Sequence, residues 1–124
     1  MEQLLAHLTG DYLLQSSHMA MHKTSRWSVA SFHAVVYTLP FLLITQSLPA
    51  LAIISGTHAV IDRYRLAFYV SMARNIAGDP ANWRRYWTTT GYEKSTPVWT
   101  STWLVIVVDN SMHLLINFFA LKYL

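Results

Sequence analysis

The sequence predicts an all-α integral membrane helical bundle: about three spanning helices plus a short N-terminal, partly inserted helix, in a single domain over 1–124. Three observations predict it. Residues 27–61, a run of 35, hold no Asp, Glu, Lys or Arg. Residues 95–121 hold only Asp109. The basic residues gather at the edges of these runs: Lys23 and Arg26 before the first, then Arg63, Arg65, Arg74, Arg84, Arg85 and Lys94 between the two. Composition agrees. Apolar residues make up 53% of the chain and charged ones 12%, about half the usual soluble share. That is too apolar for a disordered chain and too poor in charge for a soluble monomer with so large a core. With no cysteine, a disulfide framework, a thiolate metal site and a Cys nucleophile are excluded.

Each element follows in order. Glu2 to Gln15 reads as a helix (2–16), at about 21 Å too short to cross a hydrocarbon core of roughly 30 Å. Gly10 within it permits close backbone approach. The uncharged run breaks near Gln46-Ser47-Leu48-Pro49, a turn signal, which gives one spanning helix over 27–46 and a second over 49–73. Pro49 suits a first helical turn. The second helix borrows length past Asp62, Arg63 and Arg65, whose arginines can snorkel to headgroups. The third span is 98–121, with Trp99 and Trp103 near one end and Tyr123 near the other, where bilayer boundaries favour aromatic rings. Residues 75–97 form a polar, interfacial segment. Gly78-Asp79-Pro80 and Thr88-Thr89-Thr90-Gly91 read as turns there, and Trp83 to Trp87 as an amphipathic patch.

Topology follows from counting Lys and Arg. Eight of the nine lie in 23–26 or 63–94, which places both segments on the cytoplasmic side of a bacterial inner membrane in a multi-pass arrangement. The first ten residues carry Glu2 and no Lys or Arg, so no signal-peptide n-region is expected. The net charge of +3 comes with no basic helix face and no Gly-rich phosphate loop, which argues against a nucleic-acid partner. Membrane lipids are the expected partners, with a membrane protein or a second copy of the chain as a further one.

The chemistry lies in the polar residues of the apolar segments. His7 and Asp11, His58 and Asp62, and Asp109 and His113 are each four apart, so each pair shares a helix face. His33 stands in the remaining helix. Carboxylates in hydrocarbon cost several kcal/mol unless paired or coordinated. One or two divalent ions would explain three of them together. The predicted ligands are His7, Asp11, His33, His58, Asp62, Asp109 and His113. Donors of imidazole and carboxylate without thiolate suit zinc first, then Mn, Fe or Ni. Seven donors exceed the four of a closed zinc site, enough for two ions or for one ion with outer carboxylates orienting the imidazoles. The competing reading of any single pair is a structural hydrogen bond; three pairs plus His33 favour the metal. His18 and His22 also lie four apart but among polar neighbours, and read as solvated or headgroup-facing. Gln15, one turn after Asp11, reads as a helix-packing hydrogen bond. Met19, Met21, Met72 and Met112 read as packing.

These blocks resemble a known family. His-Leu-Thr-Gly-Asp-Tyr-Leu-Leu-Gln at 7–15, His33, His-Ala-Val-Ile-Asp at 58–62 and Asp-Asn-Ser-Met-His at 109–113 are similar to the domain of unknown function 3307, small integral membrane proteins of bacteria and bacteriophages. The resemblance covers roughly 4–118, with 75–97 unmatched, and makes His7, Asp11, Gln15, His33, His58, Asp62, Asp109 and His113 the motif positions. Asn110 stands where the family commonly has Gln, and Arg63 and Arg65 stand near the place of a family Lys. The resemblance implies a membrane fold with a shared polar centre. The pattern is also loosely similar to small membrane-bound metal-dependent hydrolases.

Function therefore reads as a metal-dependent hydrolase acting on a lipid or lipid-linked substrate, with Asp11 or Asp109 as general base. Neither His-Glu-x-x-His nor Gly-x-Ser-x-Gly occurs. The alternative is a non-enzymatic membrane protein, bacterial or phage, whose His/Asp network fastens its helices and whose role is interaction. An ion or proton carrier ranks lower, because few polar residues beyond His113 and Asn117 reach the distal face. A soluble bundle whose apolar faces meet in an oligomer is the runner-up fold.

Overall fold

The computed structural model describes residues 1–89 and 91–124, so Thr90 of the expected turn lies outside the described residues. All regular structure among them is helical. The order is α1 (Glu2–Leu8), a π-helical turn (Thr9–Leu13), α2 (Ser17–His22), α3 (Trp27–Thr38), a 3₁₀ extension (Leu39–Leu43), α4 (Leu48–Tyr64), α5 (Leu66–Gly78), a 3₁₀ turn (Pro80–Asn82), α6 (Trp83–Trp87) and α7 (Val98–Tyr123).

Local chemistry sets the boundaries. Ser16 caps α2: its Oγ accepts from the Met19 N–H at 3.3 Å. Pro40 has no N–H for the α-helical ladder and crowds the carbonyl four residues back, and here α3 tightens into its 3₁₀ extension. Pro49 falls in the first turn of α4, where Ser47 Oγ accepts from Ala50 N–H at 3.4 Å.

The expected helix over 49–73 is interrupted. Arg65 adopts φ 52° and ψ 48°, a left-handed conformation that ends α4 and begins α5. The end of α4 is tied down beside it. Arg63 Nη1 donates to Thr24 O at 2.7 Å, its guanidinium lies 5.8 Å from the Trp27 ring and 5.7 Å from the Tyr64 ring, and those two rings meet edge-on. The arginines thus close a helix where the sequence reading ran one through them. The first helix also differs, because its α-helical part ends at Leu8.

The chain divides into two compact units. One comprises Met1–Tyr64 and His113–Leu124, the other Arg65–Met112. In the first, α3 packs along α4, α2 packs on α3, and α1 packs on the 3₁₀ extension. Its apolar core is small: Ala6, Tyr37, Phe41, Ile54 and Ala120, with Ile44, Leu51 and Leu121 against it. Gly10 is where the N-terminal segment meets α3, since a Cβ there would stand 2.6 Å from Tyr37 Cδ2 and 2.8 Å from Tyr37 O. In the second unit, Gly91 at φ +81° lies against Met72, whose backbone N would be 2.7 Å from an added Cβ.

Beside its small apolar core the first unit buries a polar cluster, and it exposes large apolar side chains. His7, Asp11, His33, His58, Asp62, His113 and Asn117 are buried, while Leu13, Phe32, Leu43, Leu115 and Phe119 are exposed by half or more. One helix, α7, is long and apolar enough to cross a membrane. The 17-residue stretch Trp27–Leu43 is apolar but shorter.

Candidate metal centre

Three segments deliver four polar side chains to one buried point of the first unit. The π turn brings Asp11, α3 brings His33, and α4 brings His58 and Asp62 from adjacent turns. One ligand atom from each of the four lies within 4.8 Å of all the others. His33 Nε2 is 3.2 Å from Asp11 Oδ1 and 3.3 Å from Asp62 Oδ2. His58 Nε2 is 3.4 Å from Asp11 Oδ1 and 3.1 Å from Asp62 Oδ2. The two Nε2 atoms are 3.1 Å apart.

The imidazoles and carboxylates crowd one another more than pairwise hydrogen bonds require. A ring nitrogen carries at most one proton, yet His58 Nε2 faces three heavy atoms at 3.1–3.4 Å and His33 Nε2 faces four, Lys23 Nζ among them. Charge-assisted bonds are also shorter, about 2.7–2.9 Å. The five distances are compatible with a bound ion: a tetrahedral ion with bonds of about 2.0–2.1 Å has edges of roughly 3.3 Å. Two neutral imidazoles and two carboxylates carry a formal charge of −2, part of which the Lys23 ammonium beside Asp62 offsets and the rest of which a cation would balance. The buried His/Asp group can therefore hold a metal ion.

The remaining polar residues surround this set. The second oxygen of each carboxylate faces a further imidazole: Asp11 Oδ2 lies 3.6 Å from His7 Nδ1, and Asp62 Oδ1 lies 3.7 Å from His113 Nε2. The sequence reading had carboxylates orienting imidazoles; here imidazoles back the carboxylates. His7 and His113 thus stand beside the four-donor set. Asp109 sits one turn before His113 on α7, within the second unit. His18 and His22 stack on each other with ring centroids 4.4 Å apart, away from the centre. Gln15 Oε1 is buried with no hydrogen-bond partner among the described residues, so the packing bond expected of it is not made there. Met19 and Met72 are buried, whereas Met21 is largely exposed.

Three residues of the site escaped the sequence reading as members of it. Tyr37 is fully buried; its ring stacks on His58 at 3.7 Å and 10°, and its hydroxyl is 2.9 Å from His7 Nδ1. Asn117 Nδ2 donates to the same hydroxyl at 2.6 Å. Both were signalled, since Tyr37 lies four residues after His33 and Asn117 four after His113. Lys23, read only as a basic flank, places Nζ 2.8 Å from Asp62 Oδ2 and 3.4 Å from His33 Nε2. Neither Nδ1 of His33 nor that of His58 has a hydrogen-bond partner among the described residues. For His58, the Tyr37 stack orients the ring where an outer hydrogen bond usually would.

An all-helical chain with a buried His/Asp centre is the class that fold and site define. The family model described as "Protein of unknown function (DUF3307)" matches residues 1–123, and the chain belongs to that family. No curated protein and no solved structure matches it.

Proposed function

We propose that this chain is a small multi-pass protein of the bacterial inner membrane whose buried centre holds one divalent ion, zinc by its donor set, on Asp11, His33, His58 and Asp62. The observation that carries the metal is the set of five donor distances between 3.1 and 3.4 Å. The membrane reading is supported by the buried polar cluster and exposed apolar side chains of the first unit and by α7. Its α3 with the 3₁₀ extension is about 28 Å long and α4 about 25 Å, near the lower limit for a span.

The function that follows is hydrolysis of an ester or anhydride bond in a lipid or lipid-linked substrate. A divalent ion there supplies Lewis acidity and an acidified water. Asp11 is the more exposed carboxylate of the four-donor set, and it is the residue to exchange a ligand role for that of general base. In that role it accepts the proton of the attacking water and returns it to the leaving oxygen, while His7 Nδ1 steadies the other carboxylate oxygen. Lys23 holds positive charge at the rim, where an oxyanion would form. A non-enzymatic reading is favoured by one observation: four protein donors close a tetrahedron, as structural zinc sites do, while catalytic sites leave a position open.

Elemental analysis of the detergent-purified protein tests the centre. About one zinc per chain is expected, lost in both His33→Ala and His58→Ala. A folded, metal-free wild type refutes the reading. Turnover on a lipid-ester and lipid-phosphate panel then separates the two functions. A hydrolase loses activity in Asp11→Asn at retained fold; a structural centre shows no turnover, and chelation lowers its thermal midpoint.

A further inference from the structure

The segment between α5 and α7 carries charge that the metal centre does not use. A cavity of about 430 Å³ lies on it, lined by Arg84, Arg85, Thr88, Glu93, Lys94 and Ser95. The acids of this segment are already engaged. Asp79 accepts from Tyr86 Oη at 3.1 Å and from Asn82 Nδ2 at 3.0 Å. Glu93 faces Arg85 Nη1 at 3.5 Å and accepts from Ser95 Oγ at 3.1 Å. Arg84 and Lys94 make no ion pair with a carboxylate among the described residues. The cavity wall therefore carries two uncompensated cations beside two hydroxyls, the donor set of a phosphate site.

The wall is also held in place. Tyr86, Gly91 and Tyr92 are buried, Arg74 Nη2 donates to Tyr92 Oη at 2.6 Å, and Asn75 Nδ2 donates to Gly91 O. Burial, and then the hydrogen bond to Asp79, raise the Tyr86 phenol above its ordinary pKa, which keeps it a donor. Beside the cavity, Trp83 and Trp87 are 45% and 61% exposed and meet edge-on at 6.3 Å. The Arg84 guanidinium lies 5.5 Å from the Trp83 ring. Exposed indoles next to free cations match the headgroup layer of a bilayer, where tryptophan settles and anionic lipids attract Lys and Arg.

We propose that this cavity binds the phosphate of an anionic phospholipid headgroup, with Arg84 and Lys94 on the phosphate and Trp83 and Trp87 seated among the neighbouring headgroups. The inference rests on the membrane part of the function proposed above and is independent of the ion. The test is native mass spectrometry of the full chain released from detergent with equal amounts of phosphatidylglycerol and phosphatidylcholine. The wild type retains phosphatidylglycerol by about tenfold, the ratio that 1.4 kcal/mol of selectivity gives. The double variant Arg84→Gln, Lys94→Gln loses that preference while keeping its helicity and metal content. Equal retention of the two lipids by the wild type overturns the proposal, and so does an undiminished preference in the double variant. Displacement of the lipid by millimolar inorganic phosphate assigns the site to free phosphate and overturns the headgroup. A chain recovered in the soluble fraction without detergent refutes the membrane reading itself.

Discussion

At the scale of single residues, Tyr37 holds the most connections in the first unit. Its ring stacks on His58, its hydroxyl joins His7 to Asn117, and its ring edge and backbone are what Gly10 packs against. The two functions of the side chain separate by substitution. Tyr37→Phe keeps the stacked ring and removes the hydroxyl, which leaves the Asn117 amide without its buried acceptor. An unsatisfied buried donor costs about 1–3 kcal/mol. The expected outcome is a lower thermal midpoint in detergent with unchanged metal stoichiometry. Tyr37→Ala removes the stack as well, and both midpoint and metal content should fall. Metal loss in the phenylalanine variant would show that the hydroxyl, not the ring, sets the imidazole. Lys23 makes a related point. An ammonium 2.8 Å from Asp62 Oδ2 neutralises part of a charge that burial alone would make costly, so the centre has positive charge at its rim before any ion arrives.

At the scale of elements, the four-residue spacing was the most informative signal in the sequence. It placed Asp11, His58 and Asp62 on inward faces, and continued by one further step it reaches Tyr37 and Asn117. What it did not carry was the break at Arg65. Apolar periodicity continues past that residue into Leu66, Ala67 and Phe68, and a left-handed conformation at an arginine has no local signature. The break follows instead from tertiary ties at the end of α4, the Arg63 bond to Thr24 and the Trp27–Tyr64 contact, which a one-dimensional pattern does not record. The role of Lys23 was hidden for the same reason, since its partner lies 39 residues away. A non-glycine residue in this conformation bears roughly 1–2 kcal/mol of strain, which glycine relieves and a β-branched residue increases. Arg65→Gly should therefore melt at or above the wild-type temperature and Arg65→Val clearly below it. The opposite order would show that the arginine side chain, not its backbone, makes the junction.

At the scale of the molecule, the distribution of polarity supports the proposed membrane location. A soluble fold of this size buries most of its leucines and phenylalanines and wets most of its histidines and carboxylates; the first unit buries His7, His33, His58, His113, Asp11 and Asp62 and exposes Leu13, Phe32, Leu43, Leu115 and Phe119. Hydrocarbon would suit the exposed apolar side chains and would favour the inward convergence of Asp11, Asp62 and the four buried imidazoles. The arrangement of spans can be read directly because the chain has no cysteine, so any single cysteine introduced is the only thiol to react. Ser25→Cys and Thr88→Cys lie in the two basic segments, and Gln46→Cys lies in the turn before α4. If both basic segments face the cytoplasm, an impermeant maleimide added to intact cells labels Gln46→Cys alone. Opening the inner membrane then exposes the other two. Labelling of Ser25→Cys in intact cells, or equal labelling at all three positions, would break the topology. It would also remove the reason for placing α3 and α4 across the bilayer, because charge asymmetry orients a pair of helices only if the turn between them lies on the far side.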